Sequence, residues 1–239
     1  MTRLDQALAD AGLVESRTQA QALILAGRVR VAGETVRRPD RKVGDGQPLE
    51  VVERSPYVSR GGFKLAGALD AFGVDPAGRI CADVGASTGG FTDVLLQRGA
   101  ARVHAIDVGR GLLHWRLRQD PRVVVVERVN ARNLEPFAEP ISLIVVDVSF
   151  IGLEKVLPAI AAAAPGAEIV ALFKPQFQVG RAEVGKGGVV RDEAAIESAR
   201  EHFRGWCSEA GLEVLGEAPS ALPGAEGNRE IFFHLRTPG

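Results

Sequence analysis

The chain has 239 residues, a formal net charge of −1, 46% hydrophobic residues and 25% charged residues. Those proportions describe a globular protein and exclude a disordered, collagenous or disulfide-stapled one. Near-neutrality also excludes a protein coated in positive charge, so any nucleic-acid contact has to be a local patch.

Cys81 and Cys207 show no CxxC spacing and no nearby His cluster, so neither a metal site nor a disulfide framework is expected, and the pair fits a reducing cytoplasm. The start Met1-Thr2-Arg3-Leu4-Asp5 lacks the apolar stretch of a secretory signal. The most apolar segment, 156–173, is interrupted by Pro158, Pro165, Gly166 and Glu168, so no membrane insertion is expected.

In chain order, Leu4, Ala7, Leu8 and Ala11 recur at helical spacing and Gly12 stops them. Ser16 can cap a second helix that carries Ala20, Leu23 and Ile24 to a Gly27 C-cap. A strand over 28–31, a turn at Ala32-Gly33-Glu34, and a last strand over 49–52 after Gly44-Asp45-Gly46 complete a small α+β unit. Residues 1–42 hold eight cations, Arg3, Arg17, Arg28, Arg30, Arg37, Arg38, Arg41 and Lys42, against five acids, which leaves +3 in a chain whose total is −1. A run of charge is commonly a solvated face. Here the cations converge from a helix start and a turn region, as a concave phosphate-binding surface requires.

This stretch resembles the small RNA-binding module first known in ribosomal protein S4. The likeness rests on Arg3-Leu4-Asp5, Ser16-Arg17, Ile24 to Gly27, Val29-Arg30-Val31 and Gly44-Asp45-Gly46, with Ala32 standing where the module commonly has Asn. The resemblance implies an RNA-binding domain over 1–54. Pro56 disfavours helix at Ser55, which places a linker over 55–59 and a second domain over 60–239.

The second domain alternates strands with helices. Ser59 is read as the cap of a helix carrying Leu65, Ala66, Leu69 and Phe72. Strands follow at 79–84, 102–107, 123–127, 142–147 and 168–173, and helices near 91–98, 152–163 and 192–210. Two final strands, 212–217 and 230–236, have no helix between them. The pattern predicts an α/β, Rossmann-like, seven-stranded and mostly parallel sheet covered on both faces, with an antiparallel closing pair.

The first of these strands runs into Asp83-Val84-Gly85-Ala86-Ser87-Thr88-Gly89-Gly90-Phe91. Glycines at a strand-to-helix junction let backbone approach a ligand at the carboxyl edge of an open sheet. The loop is neither the dinucleotide fingerprint, because Ser87 replaces the second glycine, nor a P-loop, which needs Gly-Lys-Ser/Thr. Asp107 closes the next strand, where a carboxylate can hold both hydroxyls of a ribose. Asn130 follows the third strand, where it can meet a base, and Asp147 ends the fourth beside the same cleft. Together these point to an adenosine ligand without a pyrophosphate, of which S-adenosylmethionine is the common one. The plainer alternative is a tight βα turn with Asp107 capping a helix.

Four charged residues, Lys64, Asp147, Lys174 and Glu230, stand at element ends around that edge in apolar or Gly/Pro-rich surroundings. Taken singly each reads as a surface charge; taken together they can tune one another. With these residues in place the whole chain, 1–239, resembles the TlyA family of ribosomal-RNA 2′-O-methyltransferases, often labelled hemolysins, and the tetrad matches that of FtsJ-like ribose methyltransferases. The resemblance implies class I methyltransferase architecture and S-adenosylmethionine as donor. It implies as acceptor a cytidine ribose in ribosomal RNA of the small subunit, and often of the large. It makes Lys64, Asp147, Lys174 and Glu230 catalytic, with Lys174 either a general base or a cation that stabilises an alkoxide. Gly85, Ala86, Ser87, Gly89, Gly90 and Phe91 join Asp83, Asp107, Asn130 and Asp147 as cofactor contacts. The glycine-rich stretch 180–191, with Lys186 and Arg191, is either a lid touching RNA or an ordinary connection. No obligate protein partner is evident.

Two rival readings follow from the same residues. Gly85-Ala86-Ser87-Thr88-Gly89 also spells the serine-hydrolase elbow, with Asp147 and then His202 or His234 in the required order. A membrane-active hemolysin is the other, for which no suitable apolar segment is visible.

Overall fold

The computed structural model describes residues 1–52, 55–180, 183–224 and 226–239. Glu53 and Arg54, at the predicted end of the first domain, and Arg181 and Ala182, in the predicted glycine-rich stretch, lie outside the described residues. The chain divides into two compact units, Met1–Pro56 and Tyr57–Gly239.

In the first unit β1 (Thr2–Arg3), α1 (Leu4–Asp10), α2 (Arg17–Leu25), β2 (Val29–Val31), β3 (Glu34–Val36), β4 (Lys42–Val43) and β5 (Leu49–Val51) surround one apolar core. Leu4 and Leu8 of α1 meet Ala20 and Ile24 of α2, and Val29, Val31, Val36 and Val43 close the cluster from the strands. Ser16 accepts a bond from the Gln19 N–H and caps α2 as its sequence requires. Glu34, read from sequence as turn, opens β3 instead; the two-residue loop Ala32-Gly33 joins β2 to β3, with φ of 51° and 85°. Both residues are left-handed, as a type I′ hairpin turn demands.

The second unit runs α3 (Gly61–Phe72), β6 (Ile80–Val84), α4 (Gly90–Gln97), β7 (Arg102–Asp107), α5 (Trp115–Arg118), β8 (Val123–Glu127), β9 (Leu143–Val146), α6 (Leu157–Ala163), β10 (Glu168–Phe173), α7 (Glu193–Glu209), β11 (Glu213–Pro219) and β12 (Ile231–Arg236). Its strands form one seven-stranded sheet in the order β11-β12-β10-β9-β6-β7-β8. Neighbours from β10 to β8 are parallel, and β12 pairs antiparallel with both β10 and β11. Strand alternation sorts the core. Leu143 and Val145 face the α3–α4 layer with Cys81, Val103 and Phe91, while Ile144 and Val146 face α6 and α7 with Leu157, Ile160, Phe203 and Cys207. Burial raises both thiols, Cys81 and Cys207, to about 12. Among the described residues no helix is long and apolar enough to cross a membrane.

Two expected features fall differently. The cap position of α3 is Arg60, with no side-chain cap bond, rather than Ser59, whose carbonyl instead accepts from the Gly62 N–H. The expected helix over 152–163 is split into a 3-10 turn, Leu153–Lys155, and α6, because Pro158 lacks an N–H and fits only the first turn of a helix.

From β6 the chain winds outward through β7 and β8, then crosses back to lay β9 on the other side of β6. The carboxyl ends of β6 and β9 are therefore the switch point where open α/β sheets leave a crevice.

Candidate active site

Three cavities open along this edge. The first, about 540 Å³, is lined by Gly85, Ser87, Asp107, Asn130, Asp147 and Phe150 among others. The second, about 220 Å³, runs past Lys64, Gly85 to Thr88, Gly90, Phe91 and Asp147. The third, about 360 Å³, is walled by Lys64, Ser149, Phe150, Lys174, Phe177 and Glu230. Asp147 borders the first and second, and Lys64 the second and third.

The four predicted charges come together as two ion pairs. Lys64 Nζ donates to Glu230 Oε2 at 2.5 Å, and Lys174 Nζ lies 2.5 Å from Asp147 Oδ1 while donating to Ser149 Oγ at 3.0 Å. Lys64 sits in the first turn of α3, where the helix dipole disfavours a cation, so a buried carboxylate beside it offsets that cost. Lys174 is 8% exposed and Glu230 5%. Buried charges of this kind persist only when paired.

The glycine loop is shaped by close approach. Gly85 has φ 89°, and an ideal Cβ there would stand 2.8 Å from the Asp147 carbonyl carbon and nearer still to its oxygen. Asp107 bridges the loop and its own strand end, its Oδ2 accepting from the Ser87 N–H (2.8 Å) and its Oδ1 from the Gly109 N–H (2.7 Å). Each carboxylate oxygen retains a second lone pair for a ligand hydroxyl. Asp83 is fully buried; its Oδ2 accepts from Thr92 N–H and Oγ1–H, whereas Oδ1 has no partner among the described residues. Burial pushes this carboxyl up to about 7, with the charges of Asp147 and Asp107 adding to it against the Thr92 bonds.

Not every predicted cofactor contact reaches a cavity. Gly89, at φ 97°, packs against Leu113 and Leu117, and Asp83 lies beneath the loop. Phe91 is mainly core, with its ring on Phe232 at 6.1 Å, though it borders the second cavity. Asn130 lines the first cavity while its Oδ1 caps the 3-10 turn Ala131–Asn133. Sequence reasoning assigned no role to Ser149 or Thr92. Ser149 had a readable signal, two residues past Asp147 on the same strand exit.

Of the four non-glycine residues with positive φ among the described residues, Ser87, Arg128 and Phe150 stand at strand exits around this edge. Strained backbone of this kind gathers at functional rims.

The FtsJ-like methyltransferase model matches residues 57–237, and the S4 domain model residues 2–49. The 16S/23S rRNA (cytidine-2'-O)-methyltransferase TlyA of Mycobacterium tuberculosis is 50% identical over 98% of this chain and 90% of its own length. The chain belongs to the TlyA family. A solved Streptococcus thermophilus structure carrying the hemolysin name is 42% identical, with a TM-score of 0.76 over 99% of this chain and 88% of that one. The S-adenosylmethionine dependent methyltransferase of Mesorhizobium loti, at 13% identity, shares the fold, with a TM-score of 0.53 over 71% of this chain and 96% of its own. The architecture is thus the Rossmann-like one of S-adenosylmethionine-dependent methyltransferases, preceded by an S4 domain.

In this TlyA-family chain neither histidine named for the hydrolase elbow lines the cavities around Ser87. His234 Nε2 bonds Glu168 Oε1 (2.6 Å) at the start of β10, the strand end opposite Lys174, and His202 is exposed on α7.

The S4 domain spreads its cations over distinct partners. Arg3 and Arg17 each reach the buried Asp5 at 3.0 Å, and Gln21 Nε2 adds a 2.7 Å bond to the same carboxylate. The Arg3 bond, then those of Gln21 and Arg17, hold Asp5 well below the usual carboxylate range. Arg30 faces Glu50 at 3.7 Å, and Arg28 Nε donates to the Val52 carbonyl. Arg37, Arg38, Arg41 and Lys42 line one groove of about 480 Å³ with Asp40. In the second unit Lys186 and Arg191 are both exposed. The loop that carries them is fastened by Asn228, whose Oδ1 accepts from Val190 N–H (2.9 Å) and whose Nδ2 donates to the Gly188 carbonyl (2.8 Å).

Proposed function

We propose that this chain transfers a methyl group from S-adenosylmethionine to the 2′-hydroxyl of a cytidine ribose in ribosomal RNA, in the small subunit and in the large, within the cytoplasm. The observation that carries the reading is the pair of buried ion pairs, Lys64–Glu230 and Lys174–Asp147, set between a cofactor-sized cavity and a second chamber.

The residues present fit the donor. Gly85, Ser87, Asp107 and Asn130 line the first cavity together, and Asp107 keeps lone pairs for ribose hydroxyls. Asn130 is assigned to the base, and Ala86, Ser87 and Gly90 to the loop that cradles the ligand. S-adenosylmethionine supplies an electrophilic methyl group on a sulfonium.

A ribose hydroxyl is a weak nucleophile at neutral pH, so the chain must fix the oxygen and take or share its proton. Lys174 is the group assigned to that oxygen. It is held from two sides by Asp147 and Ser149, which leaves its amine little rotational freedom. Glu230 holds Lys64 in the same wall, so two cations and two carboxylates balance within it. The target nucleotide leaves its stack to bring the 2′-oxygen into the third cavity. Arg3, Arg17, Arg28, Arg30, Arg37, Arg38, Arg41 and Lys42 are assigned to phosphates, as are Lys186 and Arg191.

Labelled S-adenosylmethionine supplied with separated ribosomal subunits tests this, with Lys174→Ala and Asp147→Ala beside the wild type. Label in RNA from the wild type and its loss from both variants is expected. No label, or equal label from all three, would sink the site.

A further inference from the structure

Most large apolar side chains exposed on the catalytic unit have an evident use. Val108 (71% exposed), Leu112 and Phe150 line the first cavity, and Phe63 packs edge-on against Tyr57. Trp115, 65% exposed on α5, lines none of the three cavities along the sheet edge. Its indole stacks on the His114 ring, with centroids 6.0 Å apart and an interplanar angle of 29°.

The backbone around it is stitched to the exit of β8. Gly111 N–H donates to Glu127 Oε1 (2.8 Å), Arg118 pairs with the same carboxylate, and Arg128 N–H donates to the Gly109 carbonyl (3.2 Å). The Gly111 bond, then Arg118, then the field of Arg110, hold the Glu127 carboxyl below its usual range. Arg116 reaches Asp93 at 3.2 Å. Arg128 follows at φ 61° and, like Arg110, has no carboxylate partner among the described residues. Arg110, Arg116, Arg118 and Arg128 thus answer to two carboxylates, and no lysine occurs anywhere in 108–132.

An exposed indole carried by a segment with more guanidiniums than carboxylates is matched to single-stranded nucleic acid. A base stacks on the ring while planar guanidiniums take flanking phosphates. We propose that Trp115, with Arg110, Arg116, Arg118 and Arg128, forms a second RNA-contacting surface, on the catalytic unit, that takes an unpaired base of the substrate RNA. This rests on the RNA-methylation reading above. The segment begins at Asp107 on the rim of the first cavity, which puts this surface on the cofactor side of the site.

The chain has two tryptophans, so Trp206→Phe leaves Trp115 as the sole indole reporter. At saturating cofactor, a ribosomal RNA fragment that the enzyme methylates should quench this emission and cut its quenching by iodide severalfold, with the effect fading as salt rises. Trp115→Ala and the pair Arg110→Ala/Arg128→Ala should raise the KM for RNA roughly tenfold with cofactor Kd unchanged, and Trp115→Phe should restore most of it. Unchanged emission at saturating RNA, or a wild-type KM in the alanine variants while label still enters RNA, would overturn this surface and leave methylation standing. Loss of self-association in Trp115→Ala with an unchanged RNA KM would also overturn it, as a protein interface. No label even from the wild type would retire the methylation reading instead.

Discussion

Gly85 is fitted against Asp147: the loop backbone passes so near that an ideal Cβ would lie 2.8 Å from the Asp147 carbonyl carbon. One residue of the proposed cofactor loop thus sets the strand exit that presents the partner of Lys174.

Gly85→Ala should therefore damage both halves of the site. The φ of 89° adds backbone strain to the clash, together about 1–3 kcal/mol of stability. Isothermal titration should show cofactor binding weakened more than tenfold. A variant that binds normally and only melts earlier would mean that the loop does not approach the ligand.

Asp83 gives a pH signature. Its folded carboxyl, at about 7, lies above the ordinary value near 4. The unfolded chain therefore ionises first as pH rises. Stability is complete below about pH 4, falls through pH 7 and then levels, by up to roughly 4 kcal/mol. Thermal melts of the ligand-free wild type should decline between about pH 4 and 7, and Asp83→Asn should flatten that decline. A decline of equal slope in Asp83→Asn would assign it to another group.

Asn228 spends both ends of its amide on the 188–190 backbone. Asn228→Ala should raise the KM for RNA about tenfold, the equivalent of one or two lost hydrogen bonds, with cofactor Kd unchanged. Asn228→Asp, which keeps the Val190 bond and loses the Gly188 bond, should fall between. Equal losses of RNA and cofactor affinity would show general unfolding of the edge.

Ala32 holds φ 51° in the hairpin loop before Gly33. Ala32→Gly or Ala32→Asn should raise stability by about 1 kcal/mol in urea titration of the whole chain, since both tolerate the left-handed region better than alanine. A lowered midpoint would mean that the alanine methyl makes a contact worth more than the strain.

The sheet was legible where apolar runs are bracketed by turns. Runs such as Arg102–Asp107, Val123–Glu127 and Glu168–Phe173 have the bounds read from sequence, because continuous β-branched and apolar residues bracketed by turns leave little choice. Local signals failed where partners are distant. The two-residue strands β1 and β4 exist only through each other. Asp5 looks like an ordinary surface acid until Arg17 and Gln21, 12 and 16 positions on, fold over it. The four charges of the site could be named from strand ends, but which lysine faces which acid was set by the sheet order.

Lys64 and Glu230 meet across 166 positions, one from the first helix of the catalytic unit and the other from the lead-in to a strand inserted between β10 and β11. A nascent chain consequently has no complete site until β12 has been made and threaded into place. A chain that stops short of it lacks the carboxylate that pairs with Lys64.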